Sequence, residues 1–254
     1  MSYVNPLLEQ WRIGGAVRGF WATIPSSVSV ELIAANRPDY VCIDMQHGSI
    51  GFDAAVGMLQ AIWAHGVSPL VRVPANNPAA IMQALDAGAL GVVVPLVSSP
   101  EEAAAAVAAC RYPPRGIRSF GPLRASTVMR SRETTDLEQV ACIVMVETLE
   151  GIDQLDAIAA TEGLTGIYAG PADLSLVLGL PPSFKQKDPR HEEVIERIRL
   201  ACERTGIVPG ITCVGDTEHA RQRLEQGFRM VAVGNDSALL RSGSADVLEA
   251  TARG

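Results

Sequence analysis

Apolar residues along this chain gather into short runs, at 17–22, 40–43, 69–73, 91–94, 141–146, 166–169, 208–212 and 229–233. Most are apolar from end to end instead of alternating with polar residues. A strand with one wet face alternates; a strand buried on both faces does not, and such strands belong to parallel sheets covered by helices. Segments with helical spacing lie between the runs, at 52–64, 78–87, 100–109, 149–160, 192–203 and 217–226. Several stop at a glycine, namely Gly66, Gly88, Gly206 and Gly227, where the absence of a Cβ permits the left-handed backbone that ends a helix. Eight strands alternating with helices predict a TIM (β/α)8 barrel, one domain over residues 1–254. An open doubly wound sheet is the runner-up, but no glycine-rich phosphate turn follows the first strand.

Two connections are long for a compact barrel. One spans 111–138 and carries Arg115, Arg118, Arg124, Arg130 and Arg132; the other spans 170–190. The first reads equally as a functional loop or as a solvated basic one.

Composition narrows the function. The chain has 254 residues, 48% of them hydrophobic, a formal net charge of −7 and a sequence pI of about 5.2. An acidic surface disfavours nucleic acid and anionic membranes as partners. No apolar run reaches the roughly 18 residues needed to span a bilayer. The first twelve residues lack the apolar core of a signal peptide. Five cysteines are scattered without a CxxC pair, as expected for reduced thiols in the cytoplasm. The only lysines, Lys185 and Lys187, share a polar, proline-flanked stretch. Imine chemistry needs a lysine desolvated in a pocket, so a Schiff-base mechanism is not expected.

In a TIM barrel the active site lies where strands end and βα loops begin. Asp44, Gln46 and His47 end the second run, Arg72 lies near the end of the third, Glu147 follows the fifth, and Gly170-Pro171-Ala172-Asp173 follows the sixth. Each has a structural alternative: Asp44 and Asp173 as helix caps, His47 as a loop histidine, Arg72 as half of an ion pair. Together they supply two carboxylates for a hard divalent cation, one cation for an enolate and one proton carrier. Backbone N–H groups at the 170–173 turn suit a substrate carboxylate.

These residues also carry a resemblance. The chain resembles the HpcH/HpaI aldolases, class II pyruvate aldolases that include 4-hydroxy-2-oxoheptanedioate and 2-keto-3-deoxy-L-rhamnonate aldolases. The blocks are Gly19-Phe20-Trp21, Asp39 through Gly48, Val71-Arg72-Val73-Pro74, Leu85-Asp86-Ala87-Gly88-Ala89, Arg111 through Arg118, Val146-Glu147-Thr148, Gly170 through Ser175 and Ala232-Val233-Gly234. The resemblance implies a barrel with a divalent metal (Mg2+, Mn2+ or Co2+) on Glu147 and Asp173. It implies pyruvate chelated through its keto and carboxylate oxygens, the carboxylate held by the backbone at Ala172 and Asp173, and Arg72 on the enolate oxygen. His47 would relay protons, supported by Asp44 and by Asp86 of a neighbouring subunit. It further implies a homohexamer, a trimer of dimers that exchange the last helix, here 237–252. Trp21, the basic loop and another subunit are expected to line the aldehyde pocket.

Three positions depart from that pattern: Gln46 where many members have Glu, Met145 where many have Gln, and Ser119 where Gly is frequent. The expected activity is reversible cleavage of a 4-hydroxy-2-oxo acid to pyruvate and an aldehyde. The competing readings are a CoA-ester lyase of the citrate lyase β-subunit type and a barrel that binds an oxo acid without turnover.

Overall fold

The computed structural model describes residues 3–252. Eight parallel strands close into a barrel in chain order: β1 (Val17–Ala22), β2 (Tyr40–Asp44), β3 (Ser68–Arg72), β4 (Gly91–Val94), β5 (Ala141–Val146), β6 (Gly166–Ala169), β7 (Val208–Thr212) and β8 (Met230–Asn235), which pairs back onto β1. The fold is the TIM barrel that the apolar runs predict. β2 and β8 run further than their apolar runs, to Asp44 and Asn235. Ladder hydrogen bonds belong to the backbone, so pairing continues where the side chains turn polar at the barrel mouth.

Why the runs are apolar throughout is visible in two separate cores. Inward residues such as Tyr40, Cys42, Leu70, Ile143, Met145 and Tyr168 fill the barrel. Outward residues such as Val41, Ile43, Val71, Val144 and Ile167 pack under the helices. The period of two along each strand serves both layers. Inside, glycines make room for the two tyrosines. A Cβ on Gly19 would lie 2.5 Å from the Tyr40 ring, and one on Gly210 2.5 Å from the Tyr168 ring.

The helices Phe52–Ala64, Pro78–Asp86, Pro100–Cys110, Pro189–Thr205 and Thr217–Glu225 match the helical spacings closely. Gly66, Gly88, Gly206 and Gly227 all have left-handed φ, from +68° to +102°. The segment 149–160 is two helices, Leu149–Asp153 and Leu155–Ala159, broken at Gln154. The pattern also missed Pro6–Arg12, which plugs the bottom of the barrel. Its Leu7 and Trp11 join the interior core, and the buried Asn5 ties it to the carbonyls of Leu90 and Gln139.

The 111–138 connection is solvated in part: Arg115, Arg130 and Arg132 are exposed, while Arg118 is drawn inside. It folds back on the barrel side around Arg118, only 1% exposed, which donates to Leu137 O and to Asp86 and lies over the Tyr112 ring. Glu138 binds the Tyr112 N–H and Arg115.

One stretch of the barrel wall is left bare. The outer face of β8 and β1 carries a groove of about 500 Å³ floored by Phe20, Val233, Ala220 and Leu224. The last helix, Asp236–Ala250, does not cover it: Leu239, Leu240, Val247 and Leu248 on that helix are 50–71% exposed. Among the described residues no helix is long and apolar enough to cross a membrane.

Candidate active site

The side chains singled out at the strand ends meet because they share one register. Asp44 continues the inward series Tyr40, Cys42; Arg72 follows Leu70; Glu147 follows Ile143, Met145. Every second residue points into the barrel, so the first polar residue at the carboxyl end of each strand points into its mouth. A cleft of about 340 Å³ there is lined by Trp21, Asp44, His47, Arg72, Met145 and the Gly170–Asp173 turn. Phe184, Val214, Thr23, Thr212 and Asn235 complete it. These five were missed, although Thr212 and Asn235 end their strands as Asp44 and Arg72 do. Phe184 comes from the 170–190 connection, so that long loop does reach the site.

Arg72 is 8% exposed and clamped from three sides. Its Nε donates to Asp44 Oδ1 at 2.8 Å and its Nη2 to Asp44 Oδ2 at 2.5 Å. Its guanidinium carbon lies 4.4 Å from the centre of the Trp21 ring. Its Nη1 faces Met145 Sδ at 3.7 Å. Burial works against the charge, but Asp44 more than offsets it and holds the Arg72 pKa above the ordinary value. Asp44 Oδ1 also accepts the backbone N–H groups of Gln46 and His47 at 3.1 Å. Asp44 therefore fixes the His47 backbone and the Arg72 fork. The His47 side chain stands exposed at the rim of the cleft.

Trp21 is 5% exposed, and its indole N–H donates to Tyr168 Oη at 3.2 Å. Tyr168 Oη in turn lies 2.9 Å from Thr212 Oγ1. Trp21 is thus a wall of the cleft and a platform under Arg72. The basic loop 111–132 lines no part of this subunit's cleft, contrary to expectation. Asp86 lies outside it too, paired with Arg118 at 2.8 Å.

Glu147 is 3% exposed. One oxygen, Oε1, accepts the Leu96 N–H at 3.0 Å, presented by a left-handed backbone at Leu96 with φ +57°. No donor reaches the other oxygen, Oε2, although it is buried. It faces Asp173 across Gly170: a Cβ on Gly170 would lie 2.5 Å from Glu147 Oε2 and 3.6 Å from Asp173 Oδ2. Burial pushes the Glu147 carboxyl up to about 7, and the Asp173 charge adds to this, while the Leu96 N–H and Arg72 pull the other way. Two carboxylates without a donor between them require a proton or a cation. Among the described residues no three His, Cys, Asp or Glu side chains group to hold a metal. The pair fits a hard cation that takes its remaining ligands from water and substrate.

The family model for HpcH/HpaI aldolase/citrate lyase matches residues 18–243. The chain belongs to that family. It is 35% identical over 246 residues to the hydroxypyruvate/pyruvate aldolase of Rhizorhabdus wittichii, covering 96% of this chain and 98% of that one. It is 39% identical over 247 residues to the 4-hydroxy-2-oxovalerate aldolase of Rhodococcus jostii, covering 94% and 93%. A solved HpcH/HpaI family protein from Burkholderia cenocepacia is 34% identical, with a TM-score of 0.90 over 98% of this chain and 100% of that one. This HpcH/HpaI protein is a carbon–carbon lyase, as its aldolase relatives are. The departures at 46 and 145 both lie beside the site. Gln46 Oε1 is buried without a partner. Met145 places a thioether, a weak acceptor, where an amide would compete for the Arg72 N–H.

Proposed function

We propose that this chain is a divalent-metal-dependent aldolase that reversibly cleaves a 4-hydroxy-2-oxo acid to pyruvate and an aldehyde. The observation that carries this reading is the buried Glu147 oxygen with no donor, facing Asp173 in the cleft that also holds Arg72. Glu147 and Asp173 would hold Mg2+, Mn2+ or Co2+. When bound, that ion polarises the keto oxygen of the oxo acid and lowers the cost of negative charge there.

The chain's own groups supply the rest. The backbone of the Gly170-Pro171-Ala172-Asp173 turn holds the substrate carboxylate. Cleavage removes the proton of the C4 hydroxyl, breaks the C3–C4 bond and releases the aldehyde. The bonding pair moves between C2 and C3, and the charge settles on the C2 oxygen. Arg72 stabilises that charge through the Nη1 that Asp44 leaves free. His47 carries the proton at the rim, with Asp44 holding its backbone and Asp86 of a neighbouring copy facing it. Returning a proton to C3 gives pyruvate. Both lysines lie exposed outside the cleft, Lys185 paired to Asp216, which keeps imine chemistry out of the proposal. The five cysteines are buried and free, which supports a reducing, cytoplasmic setting.

Pyruvate release from a panel of 4-hydroxy-2-oxo acids tests this directly. Release is expected to stop with EDTA and return with Mg2+, Mn2+ or Co2+. Release that EDTA leaves untouched would sink the metal, and no release under any metal would sink the aldolase.

The bare groove over β8 and β1 and the unpacked last helix support exchange of that helix between copies, within a homohexamer built from dimers. A chain cut after Ala238 keeps Asp236, whose carboxylate binds the N–H groups of Thr23 and Ile24. It is expected to lose the hexamer by light scattering, and an unchanged mass would refute the exchange.

A further inference from the structure

Glu147 is held by the Leu96 N–H, but its partner Asp173 rides on a turn, two residues into the helix Pro171–Val177. The placement of that turn decides where the second carboxylate points. Two buried side chains converge on its first carbonyl. Ser175 Oγ donates to Pro171 O at 2.8 Å, from within the same helix. His191 Nε2 lies 2.8 Å from the same oxygen, from twenty residues away. Because the acceptor is a carbonyl, this histidine nitrogen must carry the proton. His191 is 3% exposed and stands in the first turn of the helix Pro189–Thr205. That turn is itself anchored: the adjacent Glu192 takes both Nη groups of Arg223 at 2.6 Å. The bond from His191 to Pro171 therefore closes the 170–190 connection at its base and ties the Asp173 turn to a fixed helix. The same hub reaches the mouth, since Ser175 Oγ also contacts Ser183 O at 3.4 Å, next to the cleft-lining Phe184.

We propose that His191 is a positioning residue for the Glu147–Asp173 pair, acting through the Pro171 carbonyl. It rests on the reading of that pair as the metal site. Groups that orient metal ligands from behind change affinity by about 10- to 100-fold when removed. His191→Leu is expected to weaken Mn2+ binding by that factor in calorimetric titration of the folded protein, and to raise KM for the oxo acid more than it lowers kcat. His191→Gln, whose amide N–H reaches toward the same carbonyl, is expected to recover most of both. Leu binding Mn2+ as tightly as the wild type would overturn the proposal. So would a Gln variant as weak as Leu, with both losses tracking a fall in Tm, since that marks a purely structural role. If the Leu variant does not fold, His191→Asn replaces it: its shorter amide falls short of the carbonyl, so weaker binding than Gln supports the proposal and equal binding overturns it. A wild type that binds no Mn2+ at all would instead overturn the metal site itself, which separates the two failures.

Discussion

Glu147→Gln is expected to cut pyruvate release by about a thousandfold or more while raising the stability of the metal-free protein at pH 8. The two effects share one cause. Glutamine keeps an oxygen for the Leu96 N–H but removes the charge whose second oxygen has no donor. In the metal-free protein that charge is a burden: burial raises the Glu147 carboxyl from 4.5 to about 7. The sign follows from proton binding. Between pH 4.5 and 7 the folded form holds a proton that the unfolded form has released, so stability is lost as pH rises through that window. Above it the loss is complete, of order 3 kcal/mol at about 1.4 kcal/mol per pKa unit. The Gln variant escapes it. Its Tm without metal should exceed the wild type by several degrees at pH 8, converge with it toward pH 4.5, and no longer respond to added Mn2+. Thermal unfolding with and without EDTA at the two pH values checks this. A Gln variant that is less stable at pH 8, or that keeps its metal response, removes Glu147 from the site.

Arg72→Lys is expected to lower kcat by about 10²- to 10³-fold, with a much smaller effect on folding. The arginine fork spends Nε and Nη2 on Asp44 and leaves Nη1 aimed into the cleft beside a weak sulfur acceptor. An ammonium is one point of charge. It can neutralise Asp44 or approach the substrate oxygen, but it does not reproduce both contacts in a fixed plane. It also loses the planar stacking over Trp21. Steady-state kinetics at saturating metal, set beside Tm, separates rate from stability. Near-normal turnover in the lysine variant would take Arg72 out of the mechanism.

Trp21 and the basic loop show the limits of reading positions along a chain. Trp21 was expected in the aldehyde pocket; it lines the cleft, but its N–H is engaged with Tyr168 and its face supports Arg72. Tyr168 gives no separate signal in an apolar strand run. The loop arginines read equally as functional or as solvated, and the structure divides them: Arg115, Arg130 and Arg132 are exposed, whereas Arg118 is buried against Asp86 and Tyr112. An arginine looks the same in sequence whether its partner is water or a carboxylate thirty residues away.

The barrel itself was determined by the sequence. Strands buried on both faces must be apolar throughout, helices must show one apolar side, and left-handed stops favour glycine; these are local requirements that leave local marks. The polar residues that end those runs, Asp44, Arg72 and Glu147, were marked for the same reason, since an interior strand tolerates them only at its open end; Asp173 follows in the turn after the sixth run. The tertiary structure alone decided what each one does to its neighbours. That Asp44 forks onto Arg72, that Leu96 feeds one oxygen of Glu147, and that His191 closes a loop onto Pro171 all depend on closing the barrel. Closure brings together groups whose separation in sequence carries no trace of the contact, and the directionality of hydrogen bonds makes each of these contacts a matter of tenths of an ångström.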